Sequence, residues 1–194
     1  MKKGTVYIFV GNSGCGKGTQ AEKLEEYIKK NKKDILHIEL GSQFRDFLST
    51  TTFTAEKSKD IALKGQLQPE FLAIRLWSDI LNSYYSPEKF LILDGTPRTI
   101  REAQVLDLAL DFYEIENRVV FYINTSKETA MDRMLSRKRS DDTKQKINNR
   151  LNWFKRDTMP AIEFFRGSYK YNFNEIDGEK NIDGVWKEVK NKLK

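Results

Sequence analysis

The stretch Gly11-Asn12-Ser13-Gly14-Cys15-Gly16-Lys17-Gly18-Thr19 gathers glycines, a lysine and two hydroxyls in one short segment. An apolar run, Thr5-Val6-Tyr7-Ile8-Phe9-Val10, leads into it. A helical pattern, Gln20-Ala21-Glu22-Lys23-Leu24, leads out. Strand, glycine-rich turn, lysine, hydroxyl and helix together make the layout of a phosphate-binding loop. Glycines let the backbone wrap closely around phosphate oxygens with its N–H groups turned inward. The positive end of the following helix adds field, and Lys17 adds a full charge. A strict pattern has the hydroxyl directly after the lysine; here Gly18 separates Lys17 from Thr19.

A second run with chemical potential is Leu91-Ile92-Leu93-Asp94-Gly95-Thr96-Pro97-Arg98-Thr99. An aspartate that ends a hydrophobic strand beside a phosphate loop can organise magnesium and its waters. Arg98 follows at the opening of a helix, where a guanidinium clamps another phosphate. Cys15 is the only cysteine, which excludes an intrachain disulfide and a cysteine-based zinc cluster. His37, the only histidine, lies in an apolar run and reads as a packed strand residue rather than a ligand or base.

These groups need a scaffold. The chain has 194 residues, 39% of them hydrophobic, enough for one core with small inserts. Its net charge of +6 is spread over helix-spaced lysines among acids, which reads as solvated faces rather than a nucleic-acid surface. A polyanionic small substrate suits such a protein. The hydrophobic run before Gly11 is too short for a signal peptide, and no membrane span is apparent. The expectation is a cytoplasmic, monomeric protein.

Short apolar runs at 6–10, 35–38, 90–93, 119–123 and 171–176 read as buried strands. Helical patterns separate them. They cover 20–30, 55–64 (Thr54 as cap, Gly65 as stop), 70–83, a helix from Pro97 to about 110, 126–138 opened by a Thr125–Glu128 capping box, 143–156 capped by Asp142, and 182–193. Strands alternating with helices predict an α/β fold with a parallel sheet and helices on both faces. The stretch 40–70 lacks a buried-strand signal and, like the polar 137–142, reads as an excursion from the sheet.

On these motifs the chain resembles the adenylate kinase family of nucleoside monophosphate kinases. The loop through Gln20 matches, including Gly18 after the lysine. So does Asp94-Gly95-x-Pro97-Arg98. Arg139-Ser140-Asp141-Asp142 with Arg150, then Met159-Pro160 with Phe164-Phe165, then Ile176-Asp177-Gly178, resemble later segments of that family. The resemblance implies a five-stranded P-loop core formed by 1–39, 71–136 and 143–194. It also implies an acceptor-binding insert at 40–70 and a short lid at 137–142, with no zinc.

The implied reaction is magnesium-dependent phosphoryl transfer from ATP to AMP, giving two ADP. Charge spreads over several oxygens in such a transition state, so positioned cations matter more than a covalent nucleophile. By resemblance, Ser13, Gly14, Cys15, Gly16, Lys17, Gly18 and Thr19 hold ATP with Arg133, Arg137, Gly178 and Lys180. Arg133 stacks on the donor base. Leu40, Gly41, Arg45, Leu67, Gln68, Gly95, Arg98 and Glu102 hold the monophosphate together with Arg139 and Arg150. Lys17, Arg98, Arg137, Arg139 and Arg150 are the catalytic cations. Asp94 orders water around magnesium, and Asp141 and Asp142 position the lid arginines.

Two positions depart from the family. Leu40 stands where a threonine is usual, and Glu102 where a glutamine is usual. An ionised carboxylate only accepts hydrogen bonds, which suits guanine N1–H and N2–H better than adenine N1. UMP, CMP, GMP or a broad acceptor range therefore stay open beside AMP, as does a nucleotide-binding regulator with little turnover.

Overall fold

The computed structural model describes residues 4–31, 33–137 and 143–193. Five parallel strands form one sheet in the order β2-β3-β1-β4-β5. They are β1 (Thr5–Gly11), β2 (Ile35–Glu39), β3 (Phe90–Asp94), β4 (Asn117–Asn124) and β5 (Tyr171–Asp177). The middle strands read as nearly unbroken apolar runs because both their faces are covered. Successive side chains point to opposite faces, and the core divides accordingly. Val6, Ile8 and Val10 join Trp77, Leu81, Leu106 and Phe165 in one apolar layer. Tyr7 and Phe9 join Leu24, Ile28, Val185 and Val189 in the other.

The expected helices form with shifted ends, and Leu40–Leu48, which carried no helix expectation, is helical too. α1 (Lys17–Lys30) begins at the loop lysine rather than at residue 20. Residues 40–70 hold α2 (Leu40–Leu48) and α3 (Phe53–Leu63). Thr52, not Thr54, caps α3 by accepting from the Ala55 N–H. α4 spans Glu70–Tyr84, and α5 spans Ile100–Phe112. Pro97 does not open α5; the Thr99 hydroxyl accepts from the Glu102 N–H and makes Thr99 the cap. Ser126 caps α6 (Lys127–Ser136), one residue past the expected Thr125. Thr143 caps α7 (Lys144–Trp153), while the expected cap, Asp142, lies outside the described residues. A π-helical stretch, Phe154–Thr158, joins α7 to α8 (Met159–Arg166), and α9 is Ile182–Asn191. Each such cap contributes about 1 kcal/mol. Among the described residues, no helix is long and apolar enough to cross a membrane.

Parallel strands place all five carboxyl ends on one edge. Gly11, Glu39, Asp94, Asn124 and Asp177 end the strands there. Ligands bind at this edge in open α/β sheets, where the strand order reverses. Here β1 reverses it, with β3 on one side and β4 on the other.

The opposite edge carries a closed ionic cluster. Arg118, at the start of β4, donates to Asp107 Oδ1 at 2.8 Å, to Asp111 Oδ1 at 2.6 Å and to the Ile115 carbonyl at 2.7 Å. Lys170 reaches the second oxygen of each aspartate, and the Tyr171 hydroxyl donates to Asp107. Two cations and two carboxylates thereby satisfy one another between α5 and the sheet.

Candidate active site

Chain geometry around the loop explains its glycines. Gly14 has φ +85°, and a Cβ there would lie 2.3 Å from the Ala130 carbonyl oxygen, so only glycine lets the loop pack on α6. Gly16, at φ 95°, caps α1 in the left-handed region. Lys17 Nζ donates to the Asn12 carbonyl at 3.1 Å, which folds the lysine back over the loop. Cys15 is buried beneath it, and burial raises its thiol pKa against the pull of Lys17.

Asp94 ends β3 beside this loop. It is buried, and among the described residues its Oδ1 has no hydrogen-bond partner. A Cβ added to Gly18 would lie 3.1 Å from Asp94 Oδ2, so the carboxylate abuts the start of α1. Burial raises its pKa, while Lys17 and Arg98 pull the other way. The next residue, Gly95, has φ +72°. A Cβ there would sit 3.5 Å from Lys17 Cε and 3.6 Å from Arg98 Nη2. Lys17 and Arg98 therefore converge over one glycine. Arg98 is anchored by its Nε–H, which donates to the Gly95 carbonyl at 2.8 Å. Burial holds its pKa below the ordinary guanidinium value, opposed by Glu102 and Asp94.

One cleft runs from the loop across Asp94 to α2, α3 and α7. Lys17, Arg45, Arg98, Arg137 and Arg150 line its acceptor side with Ser13, Gly14, Gly41, Gln68 and Gly95, and Glu39 and Asp94 are the carboxylates in that wall. Cys15, Gly16, Thr19, Arg133 and Lys180 line the part beyond Lys17, which Arg45 and Arg137 also border. Arg133 bridges two of these elements by donating to the Cys15 carbonyl at 3.3 Å and the Gly178 carbonyl at 2.9 Å. Leu67 borders a narrow recess with Phe44, Gln68, Arg98 and Glu102. Leu40 is instead fully buried in an apolar cluster with Phe44, Leu72 and Ala73. Arg139, Asp141 and Asp142 lie outside the described residues.

Several residues at or beside the cleft were not anticipated as such. Glu39 ends β2, faces the cleft, and accepts from Arg45 Nη2 at 3.0 Å. Its place at a strand's carboxyl end was the available signal. Trp153 donates from Nε1 to the Gly65 carbonyl at 3.2 Å, and Asn149 donates to the Lys64 carbonyl at 2.8 Å. These two bonds tie α7 to the end of α3. His37 is a strand residue as expected, but its ring also borders the cleft, with Nδ1 2.6 Å from Glu25 Oε2.

A glycine loop on β1, an aspartate at the end of β3 and a ring of cations between them define a P-loop phosphotransferase. Comparison with known proteins narrows the class. A family model described as adenylate kinase matches residues 9–170. An adenylate kinase of Corynebacterium aurimucosum is 34% identical over 159 residues, which is 82% of this chain and 84% of the relative. One from Prochlorococcus marinus is 30% identical over 187 residues, covering 96% and 97%. One from Archaeoglobus fulgidus is 29% identical over 213 residues, covering 94% of each. The chain belongs to the adenylate kinase family.

Proposed function

We propose that this protein reversibly transfers the γ-phosphoryl group of magnesium ATP to AMP, giving two ADP. The convergence of Lys17 and Arg98 over Gly95 carries the reading. One cation comes from the donor loop and the other from the turn after β3. A phosphorus atom passing between two bound nucleotides needs that placement. The basic side chains gathered in the acceptor wall, Lys17, Arg45 and Arg98 among them, support it. The dissociative transition state spreads negative charge over its oxygens, and fixed guanidinium and ammonium groups stabilise that charge without reorganising.

In this reading the backbone from Ser13 to Thr19 cradles the donor phosphates, and Lys17 reaches the β- and γ-oxygens. Arg45 and Arg98 hold the acceptor phosphate. Arg137 and Arg150 close on the group in transit, joined by Arg139. Arg133 and the segment Gly178–Lys180 border the donor base. Asp94 suits a magnesium ion held through water, because its buried Oδ1 lacks a partner beside Lys17 and Gly18. Magnesium bound there with the nucleotide would supply positive charge to neutralise the phosphates. Residues 40–70 serve as the acceptor-binding insert and 137–142 as the lid on a core formed by the rest. Closing such pieces excludes water, the competing acceptor.

A coupled assay of ATP with AMP, UMP, CMP, GMP and dAMP tests this. Turnover fastest with AMP is expected. Turnover with none would overturn the proposal.

A further inference from the structure

Glu102 stands in the first turn of α5 and is 1% exposed. Neither oxygen of its carboxylate is idle. Oε1 accepts from the Thr96 hydroxyl, and Oε2 accepts from the Arg98 N–H at 2.7 Å. The other polar groups of Arg98 are held too. Its carbonyl accepts from the Thr158 hydroxyl at 2.8 Å, and its Nε–H donates to the Gly95 carbonyl. The turn is thus clamped from both sides, and Arg98 borders the cleft with its Nη2 close over Gly95. Gln68, the other polar side chain bordering both the recess and the cleft, is similarly engaged. Its Oε1 accepts from the Ser58 hydroxyl at 2.5 Å, and its Nε2 donates to the Ser58 carbonyl at 2.9 Å.

We infer that Glu102 is a positioning residue that sets Arg98 against the acceptor phosphate, and that it does not read the acceptor base. A carboxylate that receives two donors from the turn behind it has its strong acceptor directions filled. Turning either oxygen toward a base would strand a buried N–H or hydroxyl, which costs more than the new bond returns. Discrimination among bases then falls to the shape of the apolar recess beside Phe44, Leu67 and Ala73 and to backbone groups. The inference rests on the proposed role of Arg98 and adds a cause for its orientation.

The test measures binding of AMP and GMP by titration calorimetry, without donor or metal, and kcat/KM for both with magnesium ATP. Wild type is compared with E102Q, E102A and T96V. E102A is expected to weaken AMP and GMP by one common factor, at least about tenfold. T96V, which keeps shape and loses one donor, should move both in the same direction by less. E102Q should restore most of the loss, because its amide oxygen still accepts from Arg98 and its amide nitrogen can donate to Thr96. The AMP-to-GMP preference should stay within about threefold throughout. A larger change of preference in E102Q would overturn the inference, as would wild-type AMP binding in both E102A and T96V. T96V decides the matter if E102A does not fold. Failure of wild type to bind any monophosphate would overturn the functional reading first, and this inference with it.

Discussion

Two charged clusters occupy opposite edges of the same sheet, and they differ in what they leave undone. At the amino-terminal edge, Arg118, Lys170, Asp107 and Asp111 pair completely, and Tyr171 adds a further bond. At the carboxyl edge, among the described residues, five basic side chains share the acceptor wall of the cleft with two carboxylates. One of those, Asp94, keeps a buried oxygen without a partner among the described residues. The first cluster stores its electrostatics in the fold itself. The second faces an open cleft that a polyanion can enter. Burial without full pairing is destabilising, so the second arrangement persists only because packing around it imposes the geometry.

The contrast is open to breakage. Lys17→Ala or Arg98→Ala should lower kcat/KM by about 10²–10³ or more, the scale of losing a preorganised cation, and leave the melting temperature nearly unchanged. A variant of either residue with native activity would erase the functional half of the comparison. Arg118→Ala should do the reverse. Removing Arg118, itself buried, leaves Asp107 and Asp111 short of a cation and should lower the urea midpoint, while kcat of the folded enzyme stays close to wild type.

A smaller, pH-dependent effect is expected at Glu102. Burial raises its pKa, and this outweighs the bonds from Thr96 and Arg98. The folded state then binds the proton more tightly than the unfolded chain. Stability from this group is complete below the ordinary glutamate value and is lost as pH rises through the folded value. E102Q should therefore gain on wild type in melting temperature as pH rises above the ordinary glutamate value; a constant difference would remove Glu102 from the account.

Smallest is the response to salt. Polyanionic substrates meet the cations of the cleft from solvent, whereas Arg118 itself is buried, so raising sodium chloride from about 0.05 to 0.5 M should raise nucleotide KM values several-fold with little change in melting temperature. Equal sensitivity of both quantities would contradict the distinction.

Much of this architecture was legible in the residues. Strands declared themselves because a strand buried on both faces is a bare apolar run, and 6–10, 90–93 and 119–123 are such runs. The loop was legible because glycine, lysine and hydroxyl at that spacing serve few other purposes. Helix ends were harder. Thr50, Thr51, Thr52 and Thr54 compete to cap α3, and tertiary context rather than residue type selects Thr52. Pro97 carries the local signature of a helix start, yet the Thr99 hydroxyl captures the Glu102 N–H and starts α5 there. The direction in which Glu102 turns was not legible at all. A carboxylate two turns of reasoning from a base looks the same in sequence whether it faces ligand or backbone. Leu40 shows the same limit, since its burial against α4 depends on where α2 docks.

Cys15 is the sole sulfur nucleophile in the chain and lies 1% exposed under the phosphate loop. A thiol-directed dye therefore has one address, and it can reach that address only when the loop loosens. The labelling rate becomes a clock for that opening, and its slowing by added nucleotide becomes a titration that needs no turnover.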